Sequence, residues 1–275
     1  MELNIENLNF GYGEKPVLKD VSLRIEGSQF VSILGPNGVG KSTLIHCINR
    51  ILEPNSGSVT IDGKDVKDYS LKELARMVGY VPYSSQTSFP MSVVDTVMLG
   101  RYPHSGNRRT DEDLRIVHSA IKLMGIEDLS LRMFNELSAG QHQKVMLARG
   151  LVQGSLLLLL DEPTANLDIM HQMSVAHLLR DLAHQKGIMI IMICHDLNIA
   201  SRYSDRIVMM YDGGIYADGT PEEVLTAENI LHVYGVHSEI VTYEGRPHML
   251  ASDQDIDPLA GNDYDVSEEE LEPSE

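Results

Sequence analysis

One glycine-rich segment, GPNGVGKST, has residue types and spacing suited to binding phosphate groups. It satisfies the pattern G-x-x-x-x-G-K-[ST] and lies between an apolar stretch, FVSILG, that predicts a strand and a predicted helix from about Lys41 to Leu52. The glycines let backbone N–H groups turn toward phosphate oxygens, and the start of the helix adds partial positive charge. In this arrangement Lys41 reaches the β and γ phosphates and Ser42 binds Mg²⁺. The flanking strand and helix favour a nucleoside triphosphate site over a plain glycine-rich turn. Its predicted residues are Gly35, Pro36, Asn37, Gly38, Val39, Gly40, Lys41, Ser42 and Thr43.

A second segment, GSLLLLLDEP, runs five leucines into two adjacent acids, Asp161 and Glu162. The apolar run is too short to cross a bilayer, which takes about 20 apolar residues, so it predicts a buried strand of a parallel sheet. Ligands collect just beyond the carboxyl ends of such strands. Asp161 is then placed to hold Mg²⁺ directly or through water, and Glu162 to accept a proton from an attacking water or to orient that water. The two acids alone leave a second reading of Glu162 open, that of a surface acid capping the next turn.

A third segment predicts a helix start that faces an anion. Ser138 and Gln141 have the Ser-x-x-Gln spacing of a capping box, so a helix is predicted to begin near Ala139 and to end by Gly154. A helix start with Ser138 and Gly140 exposed is a candidate anion site. Most such caps are only caps, so this segment alone does not indicate a function.

The pattern around these segments predicts an α/β core. The first thirty residues alternate apolar and polar positions between glycines, which indicates short strands with turns. From about Val93 to Gly154 the pattern is mainly helical, which indicates a block of helices inserted into the core. Strand and helix then alternate, with helices predicted near Met170–Gln185 and Asp196–Ser204 and a hairpin turning at residues 212–214.

Composition and charge divide the chain into two parts. Of its 275 residues, 43% are hydrophobic and 23% charged, as in an ordinary soluble globular protein. The formal net charge of −18 is uneven, because residues 251–275 contain ten acids and no Lys or Arg, which leaves 22 basic against 30 acidic side chains, or −8, for residues 1–250. We therefore expect a nucleotide-binding domain over 1–250 and a disordered acidic tail over 251–275, which is either inert or an interaction tail. The acidic balance argues against nucleic acid as a partner.

The start of the chain, MELNIENLNF, lacks the basic and apolar regions of a signal peptide, and no apolar run reaches spanning length, so we expect a cytosolic protein. Cys47 and Cys194 lie in apolar stretches without a partner motif, which predicts reduced, buried thiols. His171, His177 and His184 share one predicted helix. We see no carboxylate or Cys at ligand spacing beside them, which argues against a metal site there.

In their order, these segments resemble the ATP-binding cassette (ABC) ATPases over about residues 3–236. The family order is complete: an aromatic residue before the P-loop in FGYGEKPVLKDVSL, the P-loop, LSAGQ, LLLLLDEPTANLD and CHD. LSAGQ departs from the commoner Leu-Ser-Gly-Gly-Gln at Ala139. The resemblance implies an α/β fold that has a P-loop NTPase core with a mixed sheet, an N-terminal antiparallel β subdomain and a helical subdomain inserted over about 90–154.

The resemblance also implies roles that the patterns alone do not assign. Tyr12 would stack on the adenine, and Asp168 would belong to a loop that crosses a dimer interface. His195, which alone would be read as a core histidine, follows the predicted strand IMIIMIC and would reach the γ-phosphate. Family members work as head-to-tail pairs, with ATP between the P-loop of one subunit and the Ser138-type helix start of the other. The residues implied for that second half-site are Ser138, Gly140, Gln141 and Asp168, and those implied for catalysis are Glu162, His195 and Lys41.

One motif departs from the family pattern. In the family a Gln normally follows the Val-Pro that ends a core strand, where it touches Mg²⁺ and links the core to the helical block. Here GYVPYSSQTSFP places Tyr83 at that position and Gln86 three residues later. We favour Gln86 as the Mg²⁺ contact, with replacement by Tyr83 as the alternative.

Within the family, four segments are most similar to ATPases that power uptake of iron-siderophore complexes, haem or cobalamin, with zinc or manganese import as the alternative. They are TVMLGRYPH, LSAGQHQKVMLARGL, HDLNIASRYSDRIVMM and DGGIYADGTPEEVLTAENILHVYGV. This implies a homodimer bound at the cytoplasmic face of the cell membrane to separate permease subunits and, through them, to an extracytoplasmic solute-binding protein. Residues from about Ser92 to His104 would dock a short cytosolic helix of the permease.

Other classes of nucleotide-binding protein fit less well. ABC ATPases of DNA repair or chromosome structure carry long heptad coiled coils, and translation factors of the family carry two cassettes in one chain. Neither feature is present in this sequence. A small-molecule kinase of the P-loop type would lack LSAGQ and the Glu after Asp161, and a GTPase would show Asn-Lys-x-Asp, which this chain lacks.

Overall fold

The computed structural model describes residues 1–83, 90–105, 109–165 and 167–252. The sequence predictions for Gln86 and for residues 253–275 of the acidic tail therefore lie outside the described residues. The strands are β1 (Glu2–Tyr12), β2 (Lys15–Glu26), β3 (Phe30–Leu34), β4 (Ser56–Ile61), β5 (Lys64–Asp65), β6 (Val78–Val81), β7 (Leu157–Asp161), β8 (Met189–Ile193), β9 (Arg206–Tyr211), β10 (Gly214–Gly219), β11 (Ser238–Tyr243) and β12 (Arg246–Ala251). The helices are α1 (Lys41–Ile48), α2 (Leu71–Met77), α3 (Val93–Met98), α4 (Tyr102–Ser105), α5 (Asp111–Leu123), α6 (Ala139–Val152), α7 (Ile169–Lys186), α8 (Leu197–Tyr203), α9 (Pro221–Val224) and α10 (Ala227–Tyr234).

A six-stranded mixed sheet forms the centre of the fold, in the order β10-β9-β3-β8-β7-β6. Neighbouring strands from β9 to β6 run parallel, and β10 pairs with β9 antiparallel. The parallel strands end at one edge, since Ile33 of β3 and Asp161 of β7 both pair with Ile193 of β8. The loops that follow β3, β7 and β8 therefore begin side by side, where ligands of such sheets collect.

Both faces of the central sheet are covered, which explains the continuous apolar run of β7. Leu157 and Leu159 pack into a core cluster shared with α1 and the N-terminal strands. Leu158 and Leu160 pack on the opposite face, in a cluster that includes α3, α5, α6 and α7. Full burial of each leucine contributes about 1.5–3 kcal/mol relative to exposure. The run therefore fixes the strand end that carries Asp161.

An antiparallel sheet in the order β2-β1-β4-β5 forms the N-terminal part of the fold. The sequence predicts short strands here, and that prediction is wrong in length, because β1 has 11 residues and β2 has 12. The irregular apolar spacing is absorbed by register shifts between Ile5 and Leu8 and between Leu8 and Phe10. Asn7 and Asp20 have positive φ angles of 46° and 50° near these shifts, as residues at β-bulges do.

Between β6 and β7 the chain forms a block of helices. Helices α3, α5 and α6 pack together through buried apolar side chains such as Val93, Val97, Val117 and Val145. Together with the mixed sheet and the N-terminal antiparallel strands, this insertion confirms the α/β fold class that the resemblance implies. Among the described helices, none combines the length and apolar composition that crossing a membrane requires.

The observed helix ends agree closely with the ends predicted from the sequence, with α1 as the exception. α6 and α7 begin within one residue of their predicted starts and end within two residues of their predicted ends. α1 ends at Ile48, four residues before the predicted end at Leu52. Arg50 has a φ of 55°, which no α-helix accommodates, so the chain leaves the helix before Glu53 and Pro54.

The described chain ends in a hairpin of β11 and β12 that the sequence does not predict. The hairpin packs on α8, where Asn198 Nδ2 donates to the Met249 carbonyl at 3.2 Å and the Met249 N–H donates to Asn198 Oδ1 at 2.8 Å. The Ser201 hydroxyl donates to the Pro247 carbonyl. Since α8 follows the loop after β8, the hairpin supports the same sheet edge as the P-loop.

Candidate nucleotide-binding site

The P-loop joins β3 to α1 at the edge where the parallel strands end. Gly35 and Gly40 have φ angles of 144° and 111°, which residues with a side chain rarely adopt. A Cβ on Gly35 would lie 2.5 Å from the Met210 carbonyl oxygen, and one on Gly40 would lie 2.8 Å from Leu18 Cδ2. Glycine is therefore required at both positions. The first turn of α1 contains no acidic residue, so its N–H groups keep their partial positive charge for an anion.

The Lys41 ammonium lies inside the loop that precedes it. Its Nζ donates to the carbonyls of Gly35, at 2.7 Å, and Pro36, at 2.9 Å, and the residue is 6% exposed. Burial lowers the pKa of Lys41, while the nearby carboxylates of Glu162 and Asp161 act in the opposite direction. Carbonyl dipoles compensate a buried cation less well than an anion does. A phosphate group is therefore a favourable replacement partner for Lys41.

Ser42 and Asp161 place two oxygen atoms together behind the P-loop. Ser42 Oγ donates to Asp161 Oδ1 at 3.1 Å. Asp161 is buried, and this burial raises the pKa of its carboxyl group, although the hydrogen bond from Ser42 opposes the shift. Mg²⁺ is commonly held by one or two carboxylates together with phosphate oxygens and water, and it also accepts hydroxyl ligands in P-loop sites. The donor set fits Mg²⁺, whose charge would offset the burial of the carboxylate.

Glu162 and His195 meet at the sheet edge, one after β7 and the other after β8. His195 Nε2 and Glu162 Oε1 are hydrogen-bonded. Glu162 has a φ of 50°, a left-handed conformation that costs of order 1–3 kcal/mol in a residue with a side chain. The side chains are 23% and 43% exposed for Glu162 and His195, so a substrate can reach both. The Glu162 carboxylate, which follows β7, thus contacts the His195 side chain, which follows the neighbouring strand β8.

A second cavity, of about 340 Å³, opens at the start of α6. The predicted capping box is confirmed: the Gln141 N–H donates to Ser138 Oγ at 3.4 Å, and the Ser138 N–H donates to Gln141 Oε1 at 3.0 Å. Asp168 caps α7 on the opposite wall, accepting from the His171 N–H at 2.8 Å, and the bonds from His171 lower the pKa of Asp168. The lining residues are Ser138, Gly140, Gln141, Lys144, Leu167, Asp168 and His171.

Tyr12 lies at the end of β1, on the hairpin that packs against the P-loop. Its side chain is largely exposed, and its ring meets the edge of Phe10 at a centroid distance of 5.0 Å. The strand that follows touches the P-loop, because the Val17 carbonyl oxygen would lie 3.1 Å from a Cβ on Gly40. The hairpin therefore brings an accessible aromatic ring to the P-loop side of the molecule.

The predicted glutamine contact follows β6. Tyr83 lies just beyond the end of that strand and is about half exposed. Gln86 lies outside the described residues, so the choice between Gln86 and Tyr83 stays a prediction.

The prediction for the two cysteines is confirmed. Cys47 and Cys194 are free thiols, and each is 1% exposed. Burial raises the pKa of Cys47 to about 11 and that of Cys194 to about 12. Both thiols therefore act as small apolar side chains near neutral pH.

The histidines of α7 correct one premise of the sequence analysis, because each of them has a carboxylate neighbour. Contacts join His171 Nδ1 to Asp168 at 2.7 Å, His177 Nε2 to Asp181 at 3.4 Å and His184 Nε2 to Asp205 at 2.9 Å. Asp168 and Asp181 are three and four residues away along the helix, a spacing that the sequence analysis overlooked. Within the described ranges, no group of three or more His, Cys, Asp or Glu side chains is arranged to hold a metal ion.

The structure also places near the site three residues that the sequence analysis missed. His46 Nε2 lies 3.0 Å from the Tyr80 hydroxyl, and burial raises the pKa of Tyr80 to about 12. Burial raises the pKa of Tyr234 of α10 to about 12, and the nearby backbone of Gly35 opposes this shift. These residues are distant in the chain and belong to no motif, so no local pattern signals them.

The geometry divides the predicted residues into two sets. The first set, at the ends of β3, β7 and β8, joins the P-loop with Lys41, Ser42, Asp161, Glu162 and His195. The second set lines the cavity at Ser138, which no P-loop residue lines. A phosphate loop with its lysine, a buried Ser–Asp pair and a carboxylate–His pair at the edge of a parallel sheet define the class of P-loop nucleotide-binding proteins.

Comparison with known proteins narrows this class. A profile of the ABC transporter family matches residues 18–165. An uncharacterised ABC transporter ATP-binding protein of Methanocaldococcus jannaschii is 45% identical, over 90% of this chain and 96% of its own length. The ferric enterobactin transport ATP-binding protein of Escherichia coli is 38% identical over 86% and 88%, and the hemin import ATP-binding protein of Bordetella avium is 36% identical over 88% and 95%.

Solved structures show the same fold. An ABC transporter proposed to be of the metal-chelate type, in an inward-facing conformation, has a TM-score of 0.79 and 26% identity, with coverage of 92% of this chain and 98% of the other. A dimeric bacterial ABC transporter cassette has a TM-score of 0.72 and 29% identity, with coverage of 79% and 98%. The chain belongs to the ABC transporter family and is an ATP-binding cassette of that family.

Proposed function

We propose that this chain is the ATP-hydrolysing subunit of an importer for a metal chelate, such as an iron-siderophore complex, haem or cobalamin. The relatives named for ferric enterobactin transport and hemin import, similar over most of their length, support this choice of substrate class. The observation that carries the hydrolytic part is the contact between Glu162 and His195 at the sheet edge where the P-loop begins. That position brings a candidate base next to a phosphate site.

In the proposed reaction, water attacks the γ-phosphorus of ATP, and the bond to the oxygen shared with the β-phosphate breaks, giving ADP and inorganic phosphate. Glu162 accepts a proton from the attacking water or orients that water. His195, whose Nε2 contacts Glu162 in the nucleotide-free chain, donates to the γ-phosphate when ATP is bound, which frees the Glu162 carboxylate for the attacking water. Lys41 exchanges its two carbonyl partners for the β and γ phosphates and stabilises the charge that develops there.

Ser42 and Asp161 are the residues that would hold Mg²⁺. When bound, Mg²⁺ neutralises charge on the β and γ phosphate oxygens. The convergence of a hydroxyl and a buried carboxylate supports this assignment, and Gln86 remains the proposed further contact. Tyr12 completes the nucleotide site by stacking on the adenine, which its exposed ring permits.

Two copies of the chain bind ATP head to tail, so that the Ser138 cavity of one copy faces the nucleotide on the P-loop of the other. The start of α6 and the Lys144 side chain supply positive charge to this cavity, which suits a γ-phosphate. The similarity to a cassette solved as a dimer supports the arrangement. Loss of the γ-phosphate removes the group held from both sides, and the subunits then separate.

The permease docks on the helical block, which places the chain at the cytoplasmic face of the cell membrane. A cavity of about 260 Å³ lies there, and it overlaps the predicted docking segment from Ser92 to His104. Leu99 and Tyr102, on its rim, are 49% and 60% exposed, as apolar contact residues without a bound partner are. The lining residues are Tyr80, Leu99, Gly100, Tyr102, Pro103, Arg149 and Gln153. An extracytoplasmic solute-binding protein would deliver the chelate to the permease.

Reconstitution with a permease tests the proposal. The chain, a permease with which it co-purifies and ATP are placed in proteoliposomes, and uptake of iron-siderophore complexes, haem, cobalamin, zinc and manganese is measured. We expect ATP-dependent uptake of one chelate, lost in Glu162→Gln. Uptake of the free metal ions alone, or co-purification with DNA or ribosomes in place of a permease, would refute the chelate assignment.

A paired substitution tests the docking surface separately. Leu99→Asp should abolish co-purification with the permease and leave the ATPase activity of the isolated chain unchanged, because the side chain lies outside the nucleotide site. Leu131→Asp is the matched control, since Leu131 is more exposed, at 84%, and does not line the cavity. Equal loss of the permease in both variants would contradict this docking surface.

A further inference from the structure

A cavity of about 480 Å³ lies between α7, α8 and the β11–β12 hairpin, and none of the nucleotide-site residues lines it. We refer to it as the hairpin cavity. Its apolar part is lined by Ile169, Met173, Ile199, Tyr203 and Pro247. Three arginines, Arg180, Arg202 and Arg246, supply its positive charge. It therefore offers an apolar surface bordered by guanidinium groups, which suits an aromatic group flanked by acids.

Two of the three arginines already have carboxylate partners. Arg202 contacts Glu244 at 2.5 Å, and Arg246 contacts Glu222 at 3.5 Å. A further acid on the cavity wall, Asp196, accepts hydrogen bonds from two N–H groups at the start of α8. These acids are therefore occupied by existing contacts.

Arg180 differs from the other two. Its guanidinium lies 3.3 Å from His177 Nδ1 and 5.6 Å from the centroid of the Tyr203 ring. Among the described residues, no carboxylate lies within 4.0 Å of it. The Arg180 guanidinium is thus the arginine of the hairpin cavity that has no carboxylate in contact among the described residues.

We propose that the acidic segment at the end of this chain docks in the hairpin cavity, with Asp263-Tyr264-Asp265 as the contact. Residues 253–275 contain ten acids and no Lys or Arg, and Tyr264 is their one aromatic residue. The tyrosine ring suits the apolar lining, and either neighbouring carboxylate suits Arg180. The inference is independent of the proposed function, since it concerns a different surface.

The length of chain between the cavity and Tyr264 fits this contact. Pro247 lines the cavity and lies five residues before Ser252, the last described residue, which corresponds to about 17 Å along an extended strand. Tyr264 lies twelve residues after Ser252, and a flexible chain of twelve residues has a root-mean-square span of about 17–21 Å. A linker whose mean span matches the distance it must cover gives the highest effective concentration, on the order of millimolar.

Attachment also favours this occupant over a second copy of the chain. A second copy must come from solution, whereas the acidic segment is attached beside the cavity. The local attraction to Arg180 then acts at high effective concentration. A soluble anion has no such advantage.

A single tryptophan reports on the contact. The chain has no Trp, so Tyr264→Trp in the full chain introduces one indole at the proposed position. Quenching by acrylamide is compared with that of a synthetic peptide of residues 253–275 carrying the same Trp. We expect the quenching constant in the full chain to be lower by roughly threefold, because a docked indole is shielded from solvent.

Two sets of variants locate the contact. Arg180→Glu should restore the quenching of the free peptide, and Arg115→Glu, a charge reversal at an exposed position on α5, should not. Asp263→Asn combined with Asp265→Asn should also restore it, and this change alters none of the described residues. Unshielded indole in the full chain, shielding that survives Arg180→Glu, or shielding that rises with protein concentration would overturn the proposal, the last because it would show binding to a second copy.

Discussion

Replacing Asp161 by asparagine should stabilise the nucleotide-free protein and remove most of its stabilisation by Mg²⁺-ATP. The carboxylate is buried at the end of β7, and burial raises its pKa above the usual 3.8. The folded state therefore disfavours the charged form. Asparagine keeps the size of the side chain and can still accept the hydrogen bond from Ser42, but it carries no charge for Mg²⁺.

The size and the pH dependence of the effect follow from this burial. Relief of a destabilised functional group contributes about 1 kcal/mol, which in a protein of this size raises Tm by roughly 2–4 °C. Because the folded pKa lies above the unfolded one, the destabilisation by Asp161 is complete above the folded pKa, fades as pH falls through it and is absent below the unfolded value. The gain from Asp161→Asn should therefore be largest at pH 8 and shrink in acid.

Mg²⁺-ATP should stabilise the wild-type protein more than Asp161→Asn. Mg²⁺-ATP at about 100 times its Kd stabilises the wild-type protein by about 2.7 kcal/mol, or a Tm increase of roughly 5–11 °C. Scanning calorimetry should be run without ligand, with ATP and EDTA, and with Mg²⁺-ATP. We expect Asp161→Asn to have the higher Tm without ligand and the wild-type protein to have the higher Tm with Mg²⁺-ATP. Asp128→Asn, at an exposed position, should change neither the Tm without ligand nor the Tm increase caused by Mg²⁺-ATP. A lower Tm for Asp161→Asn without ligand, or an undiminished shift with Mg²⁺-ATP, would contradict the reasoning.

Three further predictions concern individual side chains. Lys41→Ala should weaken ATP binding at least tenfold by calorimetric titration, since it removes a buried cation from the phosphate site, whereas Lys122→Ala should not. Glu162→Gln should keep ATP affinity within about threefold, lower kcat by roughly 10²–10⁴ and leave an ATP-bound dimer on size exclusion, with Glu136→Gln as control; a monomer with normal turnover would refute the role of Glu162. Cys47 and Cys194, whose pKa values are about 11 and about 12, should react with Ellman's reagent at pH 8 only after denaturant is added.

The parts of this fold that follow from the sequence are those set by local pattern. The four leucines of β7 could be predicted as a buried parallel strand because each of the two sheet faces needs an apolar side chain at alternate positions. The first leucine of the run, Leu156, precedes the strand and is 51% exposed. The same logic placed Asp161 and Glu162 at the strand end. The capping box at Ser138 and the P-loop glycines could be predicted because they depend on spacings of a few residues.

The features that could not be predicted depend on contacts between distant segments. The hairpin of β11 and β12 is held by α8 through Asn198 and Ser201, and only the folded structure brings them together. Bulges at Asn7 and Asp20 convert an irregular apolar pattern into long strands, which a rule of strict alternation reads as short ones. The proximity of Tyr234 to the Gly35 backbone could not be predicted for the same reason, since the two residues are distant in the chain.

The charges at the sheet edge explain why nucleotide and metal should bind together. Asp161 and Glu162 place two carboxylates beside the Lys41 ammonium, so among these three described groups negative charge exceeds positive charge. ATP adds further negative charge, and without a divalent cation it meets repulsion from both carboxylates. Asp161→Asn should therefore improve binding of ATP in EDTA while it weakens binding of Mg²⁺-ATP, an inversion that calorimetric titration of both forms would detect. If the variant weakened both forms equally, Asp161 would act on the nucleotide through the shape of the loop, and its charge would have no part in metal binding.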